Sequence, residues 1–413
     1  PVAEKERVTE KSFDIVVVGA GMVGASLAVL IAGSSWGQSL RIGVLEARPF
    51  TMPDLSSSFD PRVVALTESS RQLFDQMGVW SLIAAQRVCA YHRMEIWEAD
   101  GTGHIEFDCA DVRQPNLGHI VENALIVGAL LQRLEDMPNV ELLCPAVVED
   151  LTIAGSDSGM AVLTLTDGRS VSAGLVAAAD GANSGIRRLC GLKLRQWDYG
   201  HHAIVTTVTT EKSHGYTARQ RFLPAGPLAF LPLLGDGGDT RHCSIVWSQQ
   251  TPVAESLMAL DDTGFCQALG QAADHCLGEV VAADRRYCIP LWQRHAVDYT
   301  VPGVALLGDA AHSIHPLAGQ GVNLGLQDAA VLAEEVQRAL QRGLPPGDRL
   351  ALARYQRRRK PQNLAMMAAM EGFKRLFESD KLPLRLLRND GMALFNGAGP
   401  LKKQLIRQAM GLT

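Results

Sequence analysis

The sequence predicts an α/β protein in three parts: a Rossmann-like parallel-stranded domain, an antiparallel β-sheet inserted into it, and a helical C-terminal segment. Three observations carry this. A β-branched run breaks at closely spaced glycines into a small-residue helix, and a second apolar run follows, all within residues 14–46. Two later apolar runs end at the acidic turns Asp180-Gly181 and Gly308-Asp309. Between those turns, several stretches alternate apolar and polar residues, the period-two pattern of a half-exposed sheet.

In chain order, Asp14–Val18 is short, apolar and β-branched, as a buried strand is. Gly19-Ala20-Gly21 ends it, Met22–Ala32 is the helix, and Arg41–Glu46 is the second strand. Strand, glycine turn, helix and strand make a βαβ unit, which sets two parallel strands side by side. Leu175–Ala179 and Val304–Leu307 read as further buried strands. Ala203–Thr210, Arg219–Phe222, Leu228–Leu233 and His242–Ser248 form the antiparallel insertion. Beyond Gln327 the pattern is helical, broken at Gly343–Gly347. The expected division assigns 12–82, 118–190 and 286–365 to the nucleotide-binding domain, 83–117 and 191–285 to the substrate sheet, and 366–413 to the C-terminal helices.

A chain of 413 residues is long enough for such a multi-part core, and 47% hydrophobic with 20% charged residues is ordinary for a globular protein. The formal charge of −5 argues against a general nucleic-acid binder. It hides an asymmetry: from Arg354 onward there are thirteen Lys/Arg against four Asp/Glu. That segment suits a peripheral contact with an anionic membrane or an acidic protein of a biosynthetic complex, or else a solvated helix face. The eight cysteines form no C-x-x-C pair or zinc-type cluster, so reduced thiols and no metal site are expected. No apolar run reaches the roughly 18 residues that span a bilayer, and PVAEKERVTEKS lacks the apolar core of a signal peptide. The expected location is cytoplasmic, at most peripheral to the inner face of a membrane.

Gly19-Ala20-Gly21-Met22-Val23-Gly24 fits G-x-G-x-x-G in its confirming context of strand, helix and an acid closing the next strand. Gly19 permits the tight turn, Gly21 lets the backbone approach a pyrophosphate, and Gly24 lets helix pack on strand. Glu46, 22 residues past Gly24, is placed to accept a ribose diol, which favours FAD or NAD over NADP. Asp180-Gly181 is followed by Ser184 and Arg187. Gly308-Asp309 leads through His312, His315 and Pro316 into Gly319-Gln320-Gly321 and a helix start near Val322. Such a start offers free N–H groups to an anionic ring edge, and Asp309 is placed to accept a ribityl or ribose hydroxyl.

These three motifs, in this order and spacing, resemble the flavoprotein aromatic monooxygenases of the para-hydroxybenzoate hydroxylase fold. Phe59–Leu66, Gly118–Asn123, Trp197–His202, His312–Asn323 and Leu405–Leu412 are more similar to the ubiquinone-biosynthesis hydroxylases among them. The resemblance implies FAD held at its ADP half by Gly19, Gly21, Gly24 and Glu46. It implies Arg62 in a loop near the flavin, Asp180 in a turn serving FAD and NAD(P)H, and Asp309 on the ribityl chain. It implies Pro316, Gly321, Val322 and Asn323 along the isoalloxazine. Many relatives carry a basic or amide residue where this chain has Glu122-Asn123. The implied reaction reduces the flavin with transient NAD(P)H or another donor, forms a C4a-hydroperoxyflavin with O₂, and hydroxylates a polyprenylated phenol. A soluble aromatic substrate, or a non-catalytic FAD-bearing subunit, is the alternative.

A phenol reacts best as phenolate, so a nearby base would help. His202, Tyr199 and His315 are the candidates, with His201 beside them; adjacent strand residues face opposite ways, so at most one of the histidine pair meets the site. His312 fits loop packing. Arg219 and Arg221 share a strand face, as a solvated sheet edge or a carboxylate site would. Met366, Met367, Met370, Phe373, Leu376 and Phe377 fall at helical spacing, the pattern of a core face or of a lipid-tail cover.

Overall fold

In the computed structural model, the described residues are 10–54, 58–99, 103–154, 160–314 and 321–378, with 403, 404, 406, 407, 410 and 411 near the C-terminal end. The strand Glu10–Val18 lies parallel between Ile42–Leu45 and Ser170–Ala178. Val304–Leu306 extends this sheet beyond Ser170–Ala178, and Val140–Leu143 extends it beyond Ile42–Leu45, both in parallel. Parallel strands covered on both faces need apolar residues throughout, which is why Ile15–Val18 and Leu175–Ala178 are unbroken apolar runs and fully buried. The helix Met22–Ala32 packs against Asn123–Glu135 and Gly321–Gln341.

The inserted sheet has nine strands. Its centre runs Tyr287–Ala296, Leu194–Thr210, His242–Gln250, Gly226–Leu233 and Thr217–Leu223, all antiparallel neighbours. Arg93–Glu98 then joins Thr217–Leu223 in parallel. The sequence pattern found the strand from Ala203 only. It starts at Leu194, because a register shift between Asp198 and His202 breaks the alternation there. Tyr287–Ala296, placed with the nucleotide-binding part by the sequence division, is a strand of this sheet. A small third sheet, Val63–Leu66, Gly118–Glu122 and Cys89–Tyr91, lies between the other two.

The faces of the large sheet are assigned by register. Ile204, Val208, Ile245 and Trp247 pack with Phe265 and Leu269 of the helix Asp262–Ala272. The opposite face carries Ala203, Val205, Ser244, Val246 and Leu231. Leu231 packs there on Ala65, Cys89 and Ile120 of the third sheet, so this face looks toward the nucleotide-binding half. C-terminally, the break after Gln341 is followed by Arg349–Glu378, a helix that runs through the expected boundary at 366. Ile406 and Met410 are buried against Val112 and Leu117.

Candidate functional site

The three motif turns meet at the carboxyl ends of three adjacent parallel strands, where open α/β sheets hold their ligands. Gly19 has φ +99°, and a Cβ there would strike the carbonyl of Ala179, one residue before Asp180. A Cβ on Gly24 would collide with the Gly19 carbonyl oxygen and lie 3.1 Å from Ala179 Cβ. Gly325 sits equally close to Gly308, a Cβ on it lying 3.2 Å from Gly308 Cα. Arg187, buried, ties two of the turns together: Nη1 donates to Ala310 O (2.8 Å) and Nη2 to Ala182 O (2.9 Å). Sequence reading noted this arginine without giving it a task.

Gly21 is the exception among these glycines, since a Cβ there meets no atom within 4 Å. The helix it opens has no side-chain cap and no acid in its first turn. Its leading N–H groups are therefore left without a side-chain acceptor, with the helix dipole behind them, as an anion cradle requires. Glu46 reaches the same turn, with Oε2 accepting from Ala20 N at 2.7 Å. The carboxylate of Asp309 accepts no hydrogen bond from the described residues. Its side chain is exposed, and loss of hydration beside the surrounding protein pushes its pKa up. Asp180 uses Oδ2 to hold Ile186 N (3.1 Å), while its buried Oδ1 has no partner among the described residues. The uncapped helix start, the exposed Asp309 carboxylate and the Asp180 oxygen together suit a dinucleotide.

Beneath the Gly308–His312 turn lies a buried polar clamp that no sequence motif announced. Asp328 Oδ2 accepts from Gly308 N (3.1 Å) and from His312 Nε2 (2.6 Å). Its Oδ1 accepts from Arg359 Nε (2.6 Å) and Asn363 Nδ2 (3.1 Å), both on the C-terminal helix. Burial alone would raise the Asp328 pKa; His312 and Arg359 outweigh it and hold the carboxylate ionised. Tyr355 OH donates to Leu306 O (2.7 Å) from the same helix. His312 is thus packing for the turn, as expected.

The loop before the third sheet is held by a second buried network. Glu122, fully buried, accepts from Asp60 N (2.7 Å) and from the Arg87 guanidinium at 2.9 and 3.1 Å. Burial raises the pKa of Glu122, and these donors oppose that rise. Asp60 in turn accepts from Arg62 N (2.9 Å) and Ala124 N (3.0 Å). Glu122 is therefore a structural anchor, and the cation at this position comes from Arg87. Arg62 is 73% exposed at the rim. Asn323 is buried, its side chain accepting from Ser70 Oγ (2.7 Å) and donating to Ala65 O (2.8 Å).

The candidate bases separate by face. His202 lies on the helix-covered face, its Nδ1 3.0 Å from Thr251 Oγ1, turned away from the nucleotide-binding half. His201 and the phenol of Tyr199, bonded to Gln293 Oε1, are on the facing side. The histidine pair thus splits as alternation requires, but His201 is the inward member. His315 and Pro316 lie outside the described residues. Arg219 and Arg221 are not on a sheet edge: their strand is flanked on both sides. Arg219 pairs with Glu95 (3.0 Å), and Arg221 donates to Ala272 O (2.9 Å) at a helix C-terminus. Met367 is buried as a core position; the side chains of Phe373, Leu376 and Phe377 lie outside the described residues. Among the described residues no His/Cys/Asp/Glu cluster is placed to hold a metal, and no helix is long and apolar enough to cross a membrane.

Comparison with known proteins agrees with this geometry. Residues 12–369 match the model of the FAD binding domain family. The chain is 36% identical over 407 residues to the 3-demethoxyubiquinol 3-hydroxylase of Escherichia coli, covering 98% of this chain and all of that one. It is 34% identical to the human mitochondrial ubiquinone biosynthesis monooxygenase COQ6, over 96% of this chain and 92% of that one. Among solved structures, PqsL of Pseudomonas aeruginosa, a probable FAD-dependent monooxygenase, superposes with a TM-score of 0.76 at 23% identity, covering 93% of this chain and 100% of that one.

Proposed function

The chain belongs to the FAD binding domain family of flavoprotein monooxygenases, and on that premise we propose that it hydroxylates a polyprenylated phenol in ubiquinone biosynthesis. One observation supports this above the rest: the turns at Gly19, Asp180 and Asp309 lie together at the carboxyl ends of three adjacent parallel strands, with the uncapped helix start at Gly21 and the Asp309 carboxylate among them.

In this reading Gly19, Gly21 and Gly24 receive the pyrophosphate, Glu46 a ribose diol, and Asp309 a ribityl hydroxyl. Asp180 offers its free oxygen beside them. The backbone of Gly321, Val322 and Asn323 starts the helix Gly321–Gln341, whose N-terminal dipole stabilises negative charge on an adjoining ring edge. Pro316 belongs to the same loop and Arg62 to the rim. The bound flavin, reduced by NAD(P)H or another donor, supplies O₂ activation and transfer of one oxygen atom to the aromatic ring. The protein orients the ring against it, keeps water out, and holds the phenolic proton. Tyr199 and His201, on the inward face, are the groups within the sheet suited to that last task; His315 remains a candidate from the loop.

The basic C-terminal segment is proposed to add a surface contact, but only with part of its charge. Arg354 and Arg358 pair with Glu335, and Arg359 is buried on Asp328. The test of the function is aerobic incubation with a panel of prenylated and soluble phenols, NAD(P)H and ¹⁸O₂, read by mass spectrometry. One labelled oxygen in a prenylated product is expected. Turnover of soluble phenols alone would move the reading to a soluble substrate, and FAD-loaded protein inert toward the whole panel would leave a non-catalytic subunit.

A further inference from the structure

The face of the large sheet that looks toward the nucleotide-binding half changes character along its length. At Thr207 and Ser244, paired in register, it is buried. One row on, Val205 and Val246 face each other and are only half-buried, although they sit in the middle of the sheet. A central strand residue on an inward face stays accessible only where nothing packs on it. The next row, Ile289–Ala203–Ser248, is buried at Ala203 and Ser248 and ends in Ile289, which is 46% exposed. Four residues along the same strand and on the same face, Gln293 pairs with Trp197, which is 52% exposed. One corner of this face therefore carries an uncovered indole and an uncovered isoleucine.

That corner is also basic. Arg195 shares the face of Trp197, two residues away, and Lys193 precedes it; both are exposed. The short helix Gly185–Leu189 contributes exposed Arg188 and Leu189, and the turn after it leads directly to Lys193. None of these three cations has a carboxylate within salt-bridge reach among the described residues, unlike Arg354, Arg358 and Arg359 of the C-terminal helix. The acid on the segment, Asp198, accepts from Gly200 N (2.8 Å).

We propose that this corner, formed by Arg188, Leu189, Lys193, Arg195, Trp197 and Ile289, docks onto an anionic lipid bilayer. Unpaired cations around a tryptophan and aliphatic side chains match the headgroup region, where an indole sits at the interface and each cation adds about 1 kcal/mol of attraction. An acidic protein would answer the charges alone; it gives no reason for the uncovered leucine, tryptophan and isoleucine among them. The choice of occupant rests on the proposed lipid-tailed substrate, which must leave a bilayer to reach the flavin.

The test is co-sedimentation of the full-length FAD-loaded protein with phosphatidylcholine vesicles, with and without phosphatidylglycerol. Wild type is expected to bind the anionic vesicles, more weakly as salt rises. K193E/R195E should bind at least roughly tenfold more weakly, since two attractions become repulsions. W197F should lose the tryptophan fluorescence quenched by brominated lipid. Both variants should keep their FAD and hydroxylate a short-tailed phenol in detergent at the wild-type rate, which separates this proposal from the assignment of function. Wild-type protein indifferent to phosphatidylglycerol would overturn the proposal. So would vesicle binding unchanged in K193E/R195E, or vesicle binding at wild-type strength with activity lost only in intact cells, the result a protein partner would give.

Discussion

Arg359 Nε donates to Asp328 Oδ1 at 2.6 Å, both side chains being shut away from solvent, and through that contact the C-terminal helix grips the turn that carries Asp309. Asp328 holds Gly308 N–H and His312 with its other oxygen, so the guanidinium fixes the carboxylate and the carboxylate fixes the turn.

Arg359→Met is therefore expected to act in two ways. It leaves Asp328 buried with its cation gone, a loss of about 3–5 kcal/mol, and it loosens the Gly308–His312 turn. Urea unfolding of the apoprotein reads the first effect, and titration of flavin fluorescence reads the second. Arg359→Lys should recover part of the stability but less of the FAD affinity, because one ammonium cannot reproduce the forked bonds to Asp328 and to Asn363 Oδ1 (2.8 Å). Equal FAD affinity in all three proteins would show that the clamp serves the fold alone.

Acidification should destabilise the protein through two buried imidazoles. Burial drives the pKa of both His119 and His295 down to about 4, against an ordinary value near 6.5 in the unfolded chain. Between those values the unfolded chain takes up a proton that the folded protein refuses, so stability is present above pH 6.5 and falls as the pH drops toward 4. From pH 7 to pH 5 each contributes a loss on the order of 2 kcal/mol. Denaturant midpoints at the two pH values check this. The double replacement H119N/H295N should flatten the difference, and an unchanged difference would assign the acid sensitivity to other groups.

Glu122 should prove to be an anchor rather than a flavin ligand. Arg87→Met strands its carboxylate in the interior and is expected to cost about 3–5 kcal/mol. Glu122→Gln keeps an acceptor for Asp60 N–H and Arg87 and should cost less, nearer 1–2 kcal/mol. The comparison is made by urea unfolding, with bound FAD measured in parallel. If Glu122→Gln changed FAD affinity more than stability, the side chain would have to touch the cofactor.

Legibility in the sequence followed the range of the physics. The βαβ unit and the three turns were readable because glycine and acid spacing is local: a tight turn, a helix start and a strand end each fit within a few residues. Neighbouring parallel strands then brought those turns together without further instruction. The buried networks were not readable, because Asp328 and Arg359 lie 31 residues apart, Arg87 and Glu122 35 apart, and no period links such pairs. Which of His201 and His202 looks toward the nucleotide-binding half was unreadable for a related reason. Alternation says that the two oppose each other, but which face looks toward the nucleotide-binding half is set by Leu231 packing on Ile120, a contact made far away in the chain.

The sharpest test of the cofactor site compares two glycines three residues apart. Gly21 has φ −65° and ψ 177°, a conformation open to any residue, and a Cβ there meets nothing within 4 Å. Gly21→Val should therefore fold with a circular dichroism spectrum and urea midpoint close to wild type. It should nevertheless be colourless, because its side chain fills the space reserved for the pyrophosphate. Gly24→Val has the reverse logic: its Cβ runs into the Gly19 carbonyl, so helix and strand must separate and the fold itself is damaged. Absorbance at the flavin band per mole of folded protein distinguishes the two. A Gly21→Val protein that stays yellow at full stoichiometry would mean that the space in front of that helix is not where the phosphates lie, and the roles given to Glu46 and Asp309 would fall with it.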